Sequence, residues 1–168
     1  MKNRAASMST VVWWAITCAW AVQIFWFSTG TFTPRFTAVL LGHILRFLHI
    51  SVSPVTFSLL HAVSRKLAHI VEYGLFALLL YGPPGQAGRR YWRPRRAIVC
   101  ILAAAAYSLT DEFHQLFVPG RHASIIDCGL DTTGAALAML LPYTRDRLCF
   151  WRQTSLGKKQ GTAPAASS

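Results

Sequence analysis

The chain has 168 residues, of which 53% are hydrophobic and only 14% are charged, and its net charge is +11. A soluble domain of this size carries roughly a quarter charged residues, so the composition indicates a small integral membrane protein instead. The basic residues lie between apolar segments, where membrane topology accounts for them. Nucleic acid is therefore not expected as a partner.

The first predicted membrane span covers residues 8–28 and is rich in tryptophan. Lys2 and Arg4 in front of an apolar segment are also typical of a signal peptide. Residues 5–34 hold no formally charged side chain, however, and no small-x-small cleavage site closes the apolar segment. A retained first span is therefore the favoured interpretation.

Residues 36–50 form a second apolar stretch, interrupted every third residue by His43, Arg46 and His49. This stretch is shorter than the roughly 20 residues that a membrane-spanning helix needs. An amphipathic helix lying on the membrane surface fits the pattern better than a crossing does.

The second predicted span is the C-terminal part of a longer helix, and the sequence carries signals for the start and the end of that helix. Ser53 and Pro54 are typical of an N-cap followed by the first helical residue. The span itself covers residues 61–81 and stops at the Gly-Pro-Pro sequence that begins at Gly82.

Charged side chains lie inside this second span, and Glu72 is the deepest of them. It lies nine residues, or roughly 14 Å, from Tyr81, close to the middle of a bilayer core of about 30 Å. An ionisable group at that depth normally faces the interior of the helix bundle and has a partner there. The sequence therefore predicts that Glu72 belongs to a site.

The third predicted span opens at Ala97, but its uncharged segment ends at Thr110, after roughly 21 Å of helix. To cross the membrane, the helix must continue through the polar residues 111–115 to about Val118. Ser124 to Asp127 has the spacing of a capping box, and the fourth span starts there and runs to about residue 143.

The sequence thus predicts an all-α, polytopic membrane protein with four transmembrane helices and one short amphipathic interfacial helix. Residues 1–7 would be a short cytoplasmic N-terminus, residues 8–145 the membrane domain, and residues 146–168 a basic, disordered cytoplasmic tail. The N-terminus, the loop at 82–96 and the C-terminal segment after Tyr143 hold 2, 5 and 5 basic residues, or 12 of the 17 Lys and Arg residues. The positive-inside rule places these segments, and hence both termini, in the cytoplasm.

This topology directs the polar ends of the second, third and fourth spans toward the outer face, where one polar site is predicted. Lys66, Asp111 and Asp127 would lie at nearly one depth, roughly 21–24 Å from the cytoplasmic helix ends. The candidates for acid–base chemistry are His69, Glu72, Asp111, His114 and Asp127. The expected binding residues are Lys66, Tyr73, Glu112, Gln115, Arg121 and Asp131.

Simpler interpretations exist for several of these residues. Lys66 can extend to the membrane interface by snorkelling, Asp111 can lie on a hydrated helix end, and Asp127 can cap a helix. Arg121 is the only basic residue of its loop, so it is the expected counter-ion of the acids or a clamp for an anionic substrate. Asp131, Gly134 and Ala138 form a small, polar stripe suited to close helix packing.

Two motifs resemble the VanZ-like family of bacterial membrane proteins, over roughly residues 61–141. They are Arg65-Lys66-x-x-His69-x-x-Glu72-Tyr73 and Asp111-Glu112-x-His114-Gln115-x-Phe117-x-Pro119-Gly120-Arg121-x-x-Ser124-x-x-Asp127, followed by Gly134. Phe27 and Ser28 are also compatible with the family, whereas Asp131 departs from it because family members often carry asparagine there. The resemblance implies a protein of the bacterial cytoplasmic (inner) membrane, and the founding member is associated with low-level teicoplanin resistance.

Three functions remain open at this point. The first is a non-catalytic envelope protein whose outer pocket binds a lipid headgroup or a lipid-linked cell-wall intermediate. The second is an intramembrane acid–base or metal-dependent enzyme acting on such a lipid. The third is a small ion- or proton-coupled transporter that uses Glu72 as a relay. His69-x-x-Glu72 alone is a weak metal signal, and no metal or other cofactor is predicted.

Overall fold

The computed structural model describes residues 2–29, 34–82, 92–119 and 123–160. This part of the chain is all-helical, as predicted. Its helices are α1 (Lys2–Ser28), α2 (Pro34–Phe47), α3 (Pro54–Tyr81), α4 (Pro94–Gln115), α5 (Ile125–Ala138) and α6 (Leu140–Gln160).

Three segments of the described chain are long and apolar enough to cross a membrane, one fewer than the four predicted. They are Thr10–Ser28, Pro94–Gln115 and Ile125–Arg152. The 28-residue α3 is not among them. Its length is sufficient, at roughly 42 Å, but Arg65, Lys66 and Glu72 lie close together in its middle.

Both predicted ends of α3 are confirmed. The Ser53 side chain caps the helix by accepting a hydrogen bond of 3.2 Å from the Thr56 N–H, and Pro54 is the first helical residue. Gly82 ends α3 at a φ of 96°, a conformation that L side chains rarely adopt. A Cβ at Gly82 would also lie 2.6 Å from a guanidinium nitrogen of Arg96.

The other helices are arranged around α3. The indole N–H groups of Trp13 and Trp20 donate to the carbonyl oxygens of Leu79 and Glu72, at 2.8 and 3.1 Å. Because the earlier residue of α1 contacts the later residue of α3, the two helices run antiparallel. The amide N–H of Arg93, at the start of α4, donates to the Tyr81 hydroxyl at 2.8 Å, so α4 is also antiparallel to α3.

The closest helix contact is between α3 and α5, which run parallel. A Cβ at Gly134 would lie 2.8 Å from the Cα of Ile70, so this position has room only for glycine. One turn further along, Gly74 faces Ala138, and a Cβ at Gly74 would lie 3.4 Å from that of Ala138. The predicted close packing at Gly134 and Ala138 is confirmed.

The described bundle has an apolar exterior. Val11, Val22, Val99 and Leu102 of α1 and α4 are each more than half exposed. In contrast, Asp111, Glu112, Gln115 and Asp131 are buried. A soluble domain buries its apolar side chains and exposes its polar ones. Apolar side chains outside and polar side chains inside are typical of a bundle surrounded by lipid.

The segment after α5 differs from the prediction in two respects. The fourth span does not run unbroken to residue 143, because α5 ends before Met139 and Pro142 lies in the first turn of α6. Proline is tolerated there, since the first N–H groups of a helix have no partner within it. In addition, α6 continues to Gln160, so residues 146–160 are helical where a disordered tail was predicted.

The predicted course of α4 needs only a small correction. The helix begins at Pro94 rather than Ala97 and ends at Gln115 rather than Val118. Leu116, Phe117 and Val118 each donate to the carbonyl three residues earlier, at 3.0–3.3 Å. A tighter helical turn of this kind is common at helix ends, and it carries the chain to Val118.

Candidate functional site

Asp131 connects three helices in the bundle interior. Its Oδ1 lies 3.2 Å from His69 Nδ1 on α3, and its Oδ2 accepts a hydrogen bond of 2.5 Å from the Ser108 hydroxyl on α4. The Asp131 side chain is 1% exposed, so both bonds form away from solvent. We call His69, Ser108 and Asp131 the Asp131 network. The Asp131 network supplies the hydrogen-bond partners that a buried carboxylate requires.

The Asp131 network contains the residue types of a hydrolytic triad but not its geometry. In such a triad the serine hydroxyl donates to the histidine, which takes up its proton. Here Ser108 donates to the carboxylate, as His69 also does, and Ser108 is fully buried. This arrangement joins helices and does not activate a nucleophile.

Beside the Asp131 network, four buried side-chain oxygens form no well-oriented hydrogen bond within the described residues, although Ser28 lies close to Asp111 and Tyr73 lies close to Ser108. They are Ser28 Oγ, Glu72 Oε1, Tyr73 OH and Asp111 Oδ1. Ser28, Tyr73 and Asp111 are each more than nine-tenths buried. An unsatisfied buried polar atom costs about 1–3 kcal/mol, so four oxygens without a well-oriented partner set this region apart from the rest of the bundle.

These four residues, which we call the oxygen cluster, come from α1, α3 and α4. Ser28 lies beside Asp111, at the end of α1. Glu72 and Tyr73 lie within electrostatic range of Asp111 and of Asp131. The oxygen cluster and the Asp131 network are therefore neighbours.

The composition of this region limits what it can bind. Glu72, Asp111 and Asp131 are carboxylic acids, and His69 is the nearby basic group. Carboxylates accept hydrogen bonds, and the hydroxyl groups of Ser28 and Tyr73 can both donate and accept. A matching ligand therefore donates hydrogen bonds or carries positive charge.

Two other predicted site residues support this region. Gln115 donates from Nε2 to Asp111 Oδ2 at 3.2 Å, which leaves Asp111 Oδ1 facing the oxygen cluster. Glu112 Oε2 accepts a hydrogen bond of 2.6 Å from the amide N–H of Ser124 and so ties the end of α4 to the start of α5. The predicted capping box at Ser124 is wrong in its detail, because the Ser124 side chain makes no cap hydrogen bond.

The remaining predicted site residues lie at the edge of this region or outside it. The His114 ring packs against Phe25 of α1, with ring centroids 4.8 Å apart. Lys66 is exposed, and Asp127 is half-buried within electrostatic range of His69. Arg121 lies outside the described residues.

Two residues of this region were not predicted from the sequence as site residues. Ser108 lies three residues before Asp111 and seven before Gln115, so helical periodicity places all three on one face. That periodicity could have identified Ser108 as a site residue. For Ser28 the sequence offered only a weak match to the family pattern, because the helices that surround Ser28 are distant in sequence.

Among the residues that the structure describes, no group of three or more His, Cys, Asp or Glu side chains is arranged to hold a metal ion.

The fold and the buried polar residues define a multi-pass membrane protein built from apolar helices. The model of the VanZ/LLP1 family matches residues 11–146, from α1 to the first half of α6, and the chain belongs to this family. The resemblance seen in the two sequence motifs is thereby confirmed. No curated protein and no solved structure matches the chain significantly.

Proposed function

We propose that this protein is a non-catalytic binding protein of the bacterial cell envelope. Its oxygen cluster would take the polar headgroup of a membrane lipid or of a lipid-linked cell-wall intermediate. The observation that supports this proposal is the set of four buried, unpartnered oxygens at Ser28, Glu72, Tyr73 and Asp111. A ligand that donates hydrogen bonds would remove the energetic cost of leaving them unsatisfied.

The proposal includes α3 as a fourth membrane span, despite its charges. Since α1 and α4 run antiparallel to α3, and α5 runs parallel to it, the four helices alternate in direction as four consecutive spans must. Glu72, His69 and Tyr73 of α3 all face other helices of the bundle. Charges that face the interior of a bundle are compatible with a span, because lipid does not have to solvate them, and the exposed Lys66 can extend to the interface by snorkelling.

The proposed orientation follows from the distribution of basic residues. It places both termini in the cytoplasm and directs the oxygen cluster toward the outer leaflet of the cytoplasmic membrane. The two acids of the cluster would select hydroxyl or ammonium groups, such as those of a sugar or an amino headgroup. Arg121, in the connection between α4 and α5, is the proposed clamp for an anionic group of the same ligand.

If the ligand is a cell-wall intermediate, the protein would contribute to glycopeptide tolerance in the cell. In a susceptible bacterium, we expect expression of the protein to raise teicoplanin tolerance and Glu72→Gln to abolish that increase. Susceptibility assays at matched membrane levels of the two proteins provide the measurement.

The direct test uses three charge-neutralising variants of the full-length protein, purified in mild detergent. Glu72→Gln and Asp111→Asn each change one acid of the oxygen cluster. Glu112→Gln is the matched control, because it removes the adjacent charge from α4 while Gln can still accept from the Ser124 N–H. Co-purified lipids are extracted and quantified by mass spectrometry.

We expect a lipid with a hydroxyl- or amine-bearing headgroup to accompany the wild type and Glu112→Gln. The two cluster variants should retain about tenfold less of it, because a hydrogen bond to a charged group contributes about 1.5–3 kcal/mol. All four proteins should insert into the membrane equally. Equal lipid content in all four would rule out the oxygen cluster as the headgroup site.

A second candidate function is proton transfer, favoured by one observation. Titratable side chains adjoin one another across three helices, with Glu72 and His69 on α3, Asp111 on α4 and Asp131 on α5. Such chains serve as relays in membrane transporters. Proton flux into liposomes containing the wild type, absent with Glu72→Gln and retained with Glu112→Gln, would favour this function over headgroup binding.

A further inference from the structure

A second polar site lies away from the oxygen cluster, between α2 and the first turn of α3. A cleft of about 570 Å³ opens there. Its polar lining comes from Arg35, His43, Arg46 and Ser51, and its apolar lining includes Val39 and Phe57. We call it the arginine cleft.

The positive charge of the arginine cleft is not neutralised by the part of the chain that the structure describes. The first acidic residue of the sequence is Glu72, so neither α2 nor the first half of α3 carries a carboxylate. Among the helices, α2 packs on α3 alone. No ion pair joins Arg35 or Arg46 to an acid within the described residues.

The end of α2 shapes one wall of the cleft. His49 adopts a φ of 56°, a left-handed conformation that is unfavourable for a residue other than glycine. Ile50 donates from its amide to the Leu45 carbonyl at 2.9 Å, and His49 donates to the Arg46 carbonyl at 3.0 Å. This pair of bonds is a Schellman motif, and it turns the chain back so that Ile50 and Ser51 line the cleft.

A hydrogen bond fixes the side chain of His43 at the cleft. Its Nδ1 lies 2.8 Å from the Val39 carbonyl oxygen, so Nδ1 carries a proton and donates it to that carbonyl. In this tautomer the other ring nitrogen, Nε2, is an acceptor, so it can take a hydrogen bond from a hydroxyl group in the cleft. His43 lies one turn before Arg46, which places both side chains near the same end of the cleft.

The outer face of α2 carries exposed hydrophobic side chains. Phe36, Leu40, Ile44 and Phe47 recur at helical spacing and are each about half exposed or more. They lie beside the face that bears the arginines. A helix with an apolar face next to a basic one is typical of the membrane surface, where it contacts acyl chains and headgroups together.

We propose that the arginine cleft binds the phosphate of an anionic phospholipid. Arg46 and Ser51 donate to the phosphate, His43 accepts from a headgroup hydroxyl, Arg35 supplies further positive charge along α2, and Val39 and Phe57 contact the apolar part of the lipid. The mixed lining favours an amphiphile over a free anion. The site depends on α2 lying at the membrane surface and does not depend on the function of the oxygen cluster.

The test uses full-length protein in detergent, titrated with dioctanoyl-phosphatidylglycerol and with dioctanoyl-phosphatidylcholine, and followed by native mass spectrometry. We expect selective binding of the anionic lipid. Arg46→Gln should weaken that binding about fivefold, and the double variant Arg35→Gln/Arg46→Gln about 25-fold, as expected for basic residues at a membrane surface. Arg95→Gln is the matched control, since it removes an exposed charge from the start of α4 and leaves the binding unchanged.

Two further measurements make the result decisive. Arg46→Lys keeps the charge and should retain most of the affinity, which separates loss of binding from loss of folding. Inorganic phosphate, titrated in the same way, should bind more weakly than the lipid, which separates an amphiphile from a free anion. The proposal is overturned if Arg46→Gln binds phosphatidylglycerol as the wild type does, or if inorganic phosphate binds as tightly as the lipid.

Discussion

Two buried tyrosines on α3, eight residues apart, have different surroundings. Tyr81 is 1% exposed, and its hydroxyl accepts from the Arg93 N–H. Its ring packs on Trp92 and lies under the guanidinium group of Arg96, at 6.2 and 5.2 Å. Tyr73 is completely buried, yet its hydroxyl has no partner within the described residues.

The difference is between a hydroxyl that joins two helices and a hydroxyl that stays open to the proposed ligand, although the helices around both are closely packed. Around Tyr81, aromatic and cationic contacts join the end of α3 to the start of α4. Around Tyr73, Glu72 and Asp111 each keep a buried oxygen without a partner. Because the two tyrosines share residue type, helix and burial, this contrast does not arise from composition or burial alone.

The largest expected effect comes from separating the helices around Tyr73. Gly134→Ala places a methyl group against the backbone of Ile70, so α5 must move away from α3. Since a backbone shift of this kind is costly, we expect a loss of about 3 kcal/mol in the free energy of unfolding. Thermal unfolding of the detergent-solubilised protein measures the loss.

Gly129→Ala is the matched control for this variant. Gly129 lies on the same helix, and a Cβ there would have no neighbour within 4 Å. Alanine is also the better helix former, by about 1 kcal/mol at most. Its stability should therefore equal or exceed that of the wild type, and similar losses in both variants would contradict the close α3–α5 contact.

A smaller effect is expected from removing the carboxylate that joins three helices around Tyr73. Asp131→Leu leaves the Ser108 hydroxyl and His69 without their acceptor, and we expect a loss of about 2 kcal/mol in stability. Asp131→Asn keeps one acceptor and should lose less. Equal stability of all three proteins in thermal unfolding would show that the Asp131 network does not hold the bundle together.

Local sequence signals predicted the parts of the fold that depend on neighbouring residues. Ser53 and Gly82 define the ends of α3 because capping and left-handed geometry act within one turn of helix. Periodicity likewise placed Asp111 and Gln115 on one face, and they are hydrogen-bonded in the structure.

The contributions of helices distant in sequence could not be predicted in the same way. Ser28 joins the oxygen cluster only because α1 packs against α3 and α4. His114 and Gln115 both share a helical face with Asp111 by spacing, yet His114 packs on Phe25, and tertiary packing decides between such neighbours. The break at Met139 also escaped prediction, because the run around it is continuously apolar.

The central claim is that the Tyr73 hydroxyl belongs to an oxygen cluster that binds a lipid headgroup, whereas the Tyr81 hydroxyl joins α3 to the start of α4. Tyr73→Phe and Tyr81→Phe each remove a single hydroxyl, so they form a matched pair. Their thermal stability and their co-purified lipid content, measured on the same preparations, test the claim most directly.

We expect Tyr81→Phe to lose about 1 kcal/mol of stability, because the Arg93 N–H loses its acceptor, and to retain its lipid. Tyr73→Phe should keep the stability of the wild type, since its hydroxyl has no partner within the described bundle, and should retain about threefold to tenfold less lipid. If Tyr73→Phe instead unfolds earlier than Tyr81→Phe and retains the same lipid content as the wild type, the assignment of the two regions is contradicted.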